Sequence, residues 1–219
     1  LLCVNTSLAW SFANNVPSTD AILAVANSSM YGGAGYAWAD IGTFAGANSA
    51  ATDIAIHEIG HSLANLADEY DYGGSEYYTG PEPSERNAST YTAAQMAANG
   101  TKWSAWLGEN DSAWDGYVST YEGAYYSVYD IYRPTNNSMM RALNRPFNQP
   151  SAESFIIEMY AIVNPIDTST PSGIQDETSV VEIEPVDVGH PMEIHWYLNG
   201  AMLPRDGATS VPVSSLGLP

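Results

Sequence analysis

Residues 57–61 read His-Glu-Ile-Gly-His and carry three side chains suited to metal-assisted chemistry. On a helix, His57 and His61 lie about 40° apart around the axis and one turn apart along it, so both imidazoles can reach one ion. Zinc is bound by histidine nitrogens at about 2.0–2.1 Å. Glu58 is offset from that face, so its carboxylate can take a proton from a water on the metal without ligating it. The segment therefore predicts one zinc ion held by His57 and His61, with Glu58 as the catalytic base.

A third protein ligand is needed, because catalytic zinc usually has three protein ligands and a water. The metzincin pattern H-E-x-x-H-x-x-G-x-x-H would place glycine at 64 and histidine at 67, but both positions are alanine. Asn65 tolerates a left-handed turn, and Asp68 follows it by three residues, so the glycine-to-ligand spacing is kept one position later. Asp68 is the predicted third ligand and Glu69 the alternative. Either could instead be an ordinary acid or a hydrogen-bond partner of a ligating histidine.

The helix that must carry these residues is predicted by apolar spacing over residues 51–66. Four apolar side chains recur there at helical intervals: Ile54, Ile59, Leu63 and Leu66. Thr52 or Asp53 is available as its N-cap. The segments before it are predicted as a buried strand, a glycine-rich flexible turn and a second strand, over residues 21–27, 28–36 and 37–44 respectively.

The rest of the chain predicts a long insert, a second helix and a β-rich tail. Residues 71–135 are rich in Tyr, Gly, Ser and Asn and read as largely irregular, with short helices near 93–99 and 102–107. A helix is expected over 151–163, ended by Pro165. In the tail, two alternating segments predict strands and Asn199-Gly200 predicts a hairpin turn; the segments are residues 179–184 and 193–198.

A pair of methionines stands in the segment Asn-Ser-Met-Met-Arg over residues 137–141. Ser-x-Met before a polar residue resembles the methionine turn that lies under the metal in metzincins, and Met140 holds the third position. A methionine pair alone is a weak signal, because methionine often fills gaps in a core. The helix expected after it strengthens the interpretation of Met140 as the turn methionine.

Residues 57–70, HEIGHSLANLADEY, resemble the active-site helix of the IgA-peptidase-like family of zinc metallopeptidases. The likeness extends over roughly residues 20–165 through three further stretches: VANSSMYGG at 25–33, YEGA at 121–124 and YRPTNNSMMR at 132–141. It implies an α/β (α+β) metzincin-like fold, with a mixed sheet above and helices below the cleft. It also implies zinc ligation by the two histidines and the acid after the helix, and a protein or peptide substrate.

The tail resembles an immunoglobulin-like module. The sequence pattern changes near residues 167–171, so we expect two domains, a zinc peptidase domain over residues 1–167 and a β-rich module over 168–219, which could be incomplete.

Charge and composition exclude several classes of function. The chain has 25 acidic and six basic residues and a net charge of −19. Binding to nucleic acid is therefore excluded, because it needs clustered positive charge. Such acidity is typical of a soluble protein in a salty or extracellular setting, and we expect secretion or a cell-surface location. No apolar run approaches the about 18 residues of a membrane span. Cys3 is the only cysteine, which excludes a disulfide within the chain and a cysteine-ligated zinc site.

Two rival hypotheses for the protein remain open at this point. One is a catalytically silent binding or adhesion protein on a peptidase fold, which the intact Glu58 disfavours. The other is a metallopeptidase of the second large H-E-x-x-H group, whose glutamate ligand would come from a later helix, at Glu153 or Glu158.

Several further side chains are candidates for supporting roles. Asp111 and Asp115 could ligate a structural Ca²⁺ ion, although their spacing fits no known calcium loop. Three of the fifteen tyrosines are candidates to stabilise the oxyanion, namely Tyr70, Tyr121 and Tyr132.

Overall fold

The computed structural model describes residues 1–187, 192–205 and 207–217. The chain divides into two compact units, Leu1–Met159 and Tyr160–Pro219. The described residues form α-helices and several small sheets, which confirms the expected mixed α+β class. The helices are α1 Thr6–Ala13, α2 Ala51–Ser62, α3 Ala93–Asn99 and α4 Gln149–Ile162. Among the described residues, no helix is long and apolar enough to cross a membrane.

A three-stranded sheet in the first unit lies against α2. Its strands are β1 Ile22–Ala26, β2 Gly33–Tyr36 and β3 Ile41–Ala45. The central strand is β3, which pairs in parallel with β1 and antiparallel with β2, so β2 is an edge strand. The predicted strand over 21–27 is confirmed. The prediction of a flexible turn over 28–36 is wrong for its second half, because Gly33–Tyr36 form β2.

The second predicted strand begins later than expected. Residues Ala37–Ala39 form a 3₁₀ turn, and Asp40 after it adopts a left-handed conformation with φ of 52°. The strand can start only after that reversal, at Ile41. A left-handed aspartate is tolerated because its short polar side chain interacts locally with the backbone.

Glycines let β2 approach α2 more closely than any other residue would. A Cβ atom added at Gly35 would lie 2.3 Å from Cβ of His61 and 3.0 Å from the carbonyl oxygen of Glu58. One added at Gly33 would lie 2.4 Å from Oε1 of Glu58. Atoms never approach that closely without movement, so the glycines of β2 serve packing and not chain flexibility.

The helix α2 starts at residue 51 as predicted, but its capping residue and its C-terminal end differ from the prediction. The helix begins at Ala51, after an N-cap at Ala50 that has no side-chain hydrogen bond, so neither Thr52 nor Asp53 is the cap. It ends at Ser62 rather than at residue 66. The left-handed turn predicted at Asn65 is confirmed by its φ of 48°.

The segment after α2 contains more regular structure than the sequence predicts. The helix near 93–99 is confirmed by α3, and the second short helix is a 3₁₀ turn over Ser104–Trp106. The unpredicted elements are two hairpins, formed by β4 Asn110–Asp111 with β5 Gly116–Tyr117 and by β6 Tyr121–Ala124 with β7 Ser127–Arg133. A small core stabilises this region, with the buried side chains of Met96, Trp103 and Val118 in contact.

The turn of the second hairpin explains why it escaped prediction. Ala124 pairs with Ser127, so the loop consists of Tyr125 and Tyr126 alone. Their φ values are 51° and 64°, and a type I′ turn requires positive φ at both positions. Asn-Gly or Asp-Gly is the usual sequence for such a turn, and two tyrosines give no comparable signal.

The second unit is built mainly from short antiparallel strands. They are β8 Ile166–Ser169, β9 Val180–Pro185, β10 Tyr197–Leu198, β11 Ala201–Met202 and β12 Ser210–Pro212. The order of the larger sheet is β12-β9-β8, and β10 pairs with β11. The predicted hairpin turn at Asn199-Gly200 is confirmed, with φ of 50° and 82°. The assignment of domains to 1–167 and 168–219 stays a prediction.

The contact between β2 and α2 gives a first testable prediction. We expect Gly35→Ala to lower the free energy of unfolding by about 1–3 kcal/mol, because the added methyl group meets the rigid Cβ of His61 and not a mobile side-chain end. Gly32→Ala is the matched control, since its Cβ would have no heavy atom within 4 Å. Urea unfolding of both variants measures the difference. Equal stability of the two would show that the close contact does not constrain the fold.

Candidate metal centre

The two histidines of α2 are each oriented by a backbone carbonyl group. Nδ1 of His57 lies 3.0 Å from the carbonyl oxygen of Met139, and Nδ1 of His61 lies 2.6 Å from that of Leu66. A carbonyl oxygen only accepts, so each Nδ1 is a donor and each Nε2 is left to face another partner. The two Nε2 atoms face each other at 3.1 Å. This is the orientation that a metal ligand needs.

Asp68 completes a cluster with the two histidines. Its Oδ1 lies 3.1 Å from Nε2 of His57 and 3.2 Å from Nε2 of His61. Three ligands of a tetrahedral zinc ion, at about 2.0–2.1 Å from the metal, would be about 3.3–3.4 Å apart. The triangle of atoms therefore fits such an ion with small adjustments. Among the described residues, it is the one group of three or more His, Cys, Asp or Glu side chains that could hold a metal.

The left-handed turn after α2 brings Asp68 to the histidines. Asn65 reverses the chain, and the amide of Leu66 then donates to the carbonyl oxygen of Gly60 at 3.0 Å. The carbonyl oxygen of Leu66 is the group that holds His61. This single chain reversal therefore orients His61 and places Asp68 beside it.

The charges of the cluster favour a carboxylate beside imidazoles. Burial alone would raise the pKa of Asp68. Hydrogen bonds from His57 and His61, the charge of His61 and a hydrogen bond from Tyr126 outweigh burial and hold the pKa of Asp68 well below its usual range. Burial alone would lower the pKa of His61, but Asp68 raises it. The side chains of His57, His61 and Asp68 are 12%, 17% and 9% exposed. The group is shielded but remains open to the cleft.

Glu58 lies beside the cluster and outside it. Its side chain points toward Gly33 of β2, and the residue is 8% exposed. Burial raises the pKa of its carboxyl group, while the nearby His61 and His57 partly offset this effect. A carboxylate so placed can exchange protons with a group bound in the cleft without ligating the ion.

Glu69, the alternative third ligand, points away from the histidines. It is fully buried, and its carboxylate accepts hydrogen bonds from Oγ of Ser138 at 2.7 Å, Nδ2 of Asn87 at 2.9 Å and Nδ2 of Asn148 at 2.9 Å. Its own amide donates to the carbonyl oxygen of Met140 at 2.8 Å. The sequence missed this network because its members are far apart in the chain.

Met140 is buried against α2. It is 0% exposed, and its Sδ lies 2.6 Å from where a Cβ atom of Gly60 would be. It belongs to a core with Ala64 and Leu66, against which Phe147 and Phe155 pack. The preceding residue supplies the carbonyl group that orients His57. The segment therefore lies directly under the cluster, and the role of Met140 as a turn methionine stays a prediction.

The cluster opens into a cleft of about 930 Å³. Four tyrosines line it, namely Tyr31, Tyr70, Tyr72 and Tyr126. Of the three predicted oxyanion candidates only Tyr70 is among them; Tyr121 instead donates to the carbonyl oxygen of Tyr117. The sequence missed Tyr126, whose hydroxyl donates to Oδ2 of Asp68 at 2.5 Å. Burial, followed by the nearby Asp68, raises the pKa of both Tyr70 and Tyr126.

The remaining acidic candidates have other partners or positions. Glu153 accepts a hydrogen bond from Nε1 of Trp106 at 3.0 Å, and Glu158 does not line the cleft. Asp115 accepts two hydrogen bonds from Arg145, at 2.8 and 2.6 Å, and Oδ1 of Asp111 accepts from a backbone amide. No calcium-type cluster occurs around these acids in the part of the chain that the structure describes.

Comparison with models of protein families gives a match. The family model described as IgA Peptidase M64 matches residues 1–118, more than half of the 219 residues, and this range includes the three side chains of the cluster. The segment around Met140 lies outside it. No curated protein matches the chain.

The hydrogen bonds of Glu69 give a second prediction. Glu69→Ala removes the acceptor for three buried donors, and we expect it to lower the free energy of unfolding by about 2–5 kcal/mol. The control is Glu109→Ala, at an exposed glutamate, which should change stability by less than about 0.5 kcal/mol. Urea unfolding without added metal separates this effect from ion binding. A loss no larger than that of the control would contradict the structural role.

Proposed function

The chain belongs to the IgA peptidase M64 family, as its active-site helix indicated, and we propose that it is a zinc-dependent endopeptidase. Its substrates are proteins or peptides, and it acts outside the cell or at the cell surface. One observation carries the proposal: two Nε2 atoms and a carboxylate oxygen converge within 3.1–3.2 Å of one another beside a glutamate in an open cleft.

The donor set supports zinc as the ion. Two neutral imidazoles and one carboxylate are typical of catalytic zinc sites, which keep a further position for water. Hard ions such as Mg²⁺ and Ca²⁺ prefer oxygen ligands throughout. Both histidines are fixed through Nδ1 by carbonyl groups, which is the usual support for zinc-bound histidine.

The residues of the chain have separate roles in the proposed reaction. Bound zinc would supply a Lewis acid that polarises the substrate carbonyl group and lowers the pKa of a water. Glu58 accepts the proton from the attacking water and then donates it to the nitrogen of the leaving amine. Asp68 and the histidines hold the ion. Tyr126 and Tyr70 keep their protons at neutral pH because burial and the nearby Asp68 raise their pKa. Tyr70 is the candidate to donate a hydrogen bond to the developing oxyanion, and Tyr126 would first have to turn away from Asp68.

The edge strand β2 supports binding of an extended peptide. Residues Gly32, Gly33, Ala34 and Gly35 line the cleft, and within the described part of the chain β3 is the one sheet neighbour of β2. The carbonyl oxygen of Gly33 accepts a hydrogen bond from the amide of Leu2 at 3.3 Å, which shows that this edge can pair with a further backbone segment. A substrate that pairs with the edge as an added strand would lie alongside Glu58.

Two finer features belong to the same proposal. We interpret the domain as metzincin-like, because a left-handed turn leads from the helix to the third ligand and a buried methionine lies under the cluster. We interpret residues 168–219 as an immunoglobulin-like module, which the antiparallel strands of the second unit support.

Metal analysis of the purified protein tests the site. We expect about one zinc ion per chain. Loss of a hydrogen-bond partner of a metal ligand weakens metal binding by about 10–100-fold. Asp68→Asn should weaken zinc binding by more than that, because it changes a ligand itself. Glu85→Gln is the matched control, because Glu85 lines the same cleft but accepts a hydrogen bond from Tyr125 and lies outside the cluster. If Asp68→Asn binds zinc as tightly as the control, Asp68 is not a ligand.

Proteolysis of an unfolded protein substrate tests the role of Glu58. Glu58→Gln keeps the size of the side chain but removes the base, so we expect activity to fall by about 10²–10⁴-fold with zinc content unchanged. Full activity of this variant would exclude Glu58 as the base. A zinc-loaded wild-type chain that cleaves nothing would support the rival hypothesis of a silent binding protein.

A further inference from the structure

Arg141 carries the one permanent positive charge among the described residues that line the cleft. It follows Met140 directly, and Met139 before that contacts His57 through its carbonyl oxygen. The acids Glu58, Asp68 and Glu85 line the same cleft. A single guanidinium group in a chain of net charge −19 therefore stands close to the reacting centre.

The hydrogen-bond donors of Arg141 are almost unused. Its nearest acid is Asp71, whose Oδ2 lies 3.9 Å from Nη2, too far for a hydrogen bond. Its Nε is buried and has no partner within the described part of the chain. The side chain is 34% exposed. A guanidinium group has five N–H donors, so this one can still bind an acceptor that enters the cleft.

Two other arginines of the first unit show what a structural arginine looks like in this fold. Arg133 is buried, and its nitrogens donate to the carbonyl oxygens of Glu122, Gly123 and Asn136. Arg145 forms a two-pronged ion pair with Asp115. Arg141 has neither arrangement, so stabilising the fold does not account for its position.

The surroundings of Arg141 favour an anionic ligand. Burial and then the charge of Arg141 lower the pKa of Arg133, so the two cations lie close enough to repel each other. Glu69 and Asp71 offset this effect only in part, because the pKa of Arg133 stays below its usual value. A carboxylate at this end of the cleft would relieve the repulsion and use the free donors.

We propose that Arg141 determines specificity by binding a carboxylate group of the substrate, so that the enzyme prefers peptides with an acidic residue at one position beside the cleaved bond. The inference rests on the proposed peptidase function. The acids elsewhere in the cleft repel further negative charge, so the preference concerns one position and not an acidic substrate in general.

Single-residue peptide scanning tests this inference on the zinc-loaded full chain. A neutral quenched fluorescent peptide, blocked at both ends, is compared with variants that carry Asp or its isostere Asn at each of three positions on either side of the cleaved bond. We expect the ratio of kcat/KM for Asp over Asn to be about 10–100 at one position, and near one at the others.

Substitutions then assign the preference to the guanidinium group. Arg141→Gln should bring the ratio to near one, and Arg141→Lys should keep part of it, because lysine retains the charge but not the fork of donors. Zinc content equal to wild type would show that the cluster is intact in both variants. Arg86→Gln is the control: it removes the same charge from an exposed arginine that does not line the cleft, so the ratio should stay as in wild type.

A second set of peptides identifies the source of the carboxylate. Each of these peptides has the neutral sequence and is shortened so that its free C-terminus lies at one of the tested positions. Preference for the free terminus over an internal Asp would support carboxylate binding by Arg141 and overturn the endopeptidase assignment.

The outcomes separate this inference from the proposed function. If wild-type protein cleaves the neutral peptide but shows a ratio near one at every position, the inference is wrong and the peptidase stands. A preference that survives in Arg141→Gln would also overturn it. If no peptide is cleaved, the proposed function fails, and the inference with it.

Discussion

A fully buried carboxylate requires hydrogen-bond donors, and the region under the metal cluster supplies them to Glu69. The donors come from three distant segments, at Asn87, Ser138 and Asn148. Asp68 immediately precedes Glu69, and the Ser138 segment continues to the carbonyl group that orients His57. The hydrogen bonds that stabilise one buried acid therefore also place two of the three side chains that could hold a metal ion. The neighbouring acids Asp68 and Glu69 have different roles, because Asp68 faces the cleft and Glu69 faces the core.

The opposite side of the cluster is shaped by close packing. The strand β2 lies against α2 where both Glu58 and His61 project, and its glycines leave room for them. The carboxylate of Glu58 is therefore confined between an edge strand and its own helix, with little space for alternative positions. Packing on this side and hydrogen bonding on the other together hold the site.

The parts of the site that could be predicted from sequence are those set by local spacing. The i, i+4 histidines define one helix face, and Asn65 signals a left-handed turn three residues before Asp68. The spacing favoured Asp68 over Glu69, but the buried position of Glu69 could not be predicted, because it depends on partners up to 79 residues away in the chain. The strand β2 could not be predicted because its glycines are explained only by the close packing of β2 against α2. The position of Tyr126 could not be predicted because its type I′ turn is formed by an unusual pair of residues.

Gly33 has a consequence for how pseudoenzymes are identified among related proteins. Any side chain at this position would overlap Oε1 of Glu58, at 2.4 Å, and Cγ2 of the buried Ile54, at 2.7 Å, so both side chains would have to shift. A relative with alanine or serine there could retain the two histidines and the aspartate while its glutamate is displaced. Judged by the H-E-x-x-H signature alone, it would be counted as active. The glycine on the facing strand is thus as diagnostic of catalytic competence as the glutamate itself.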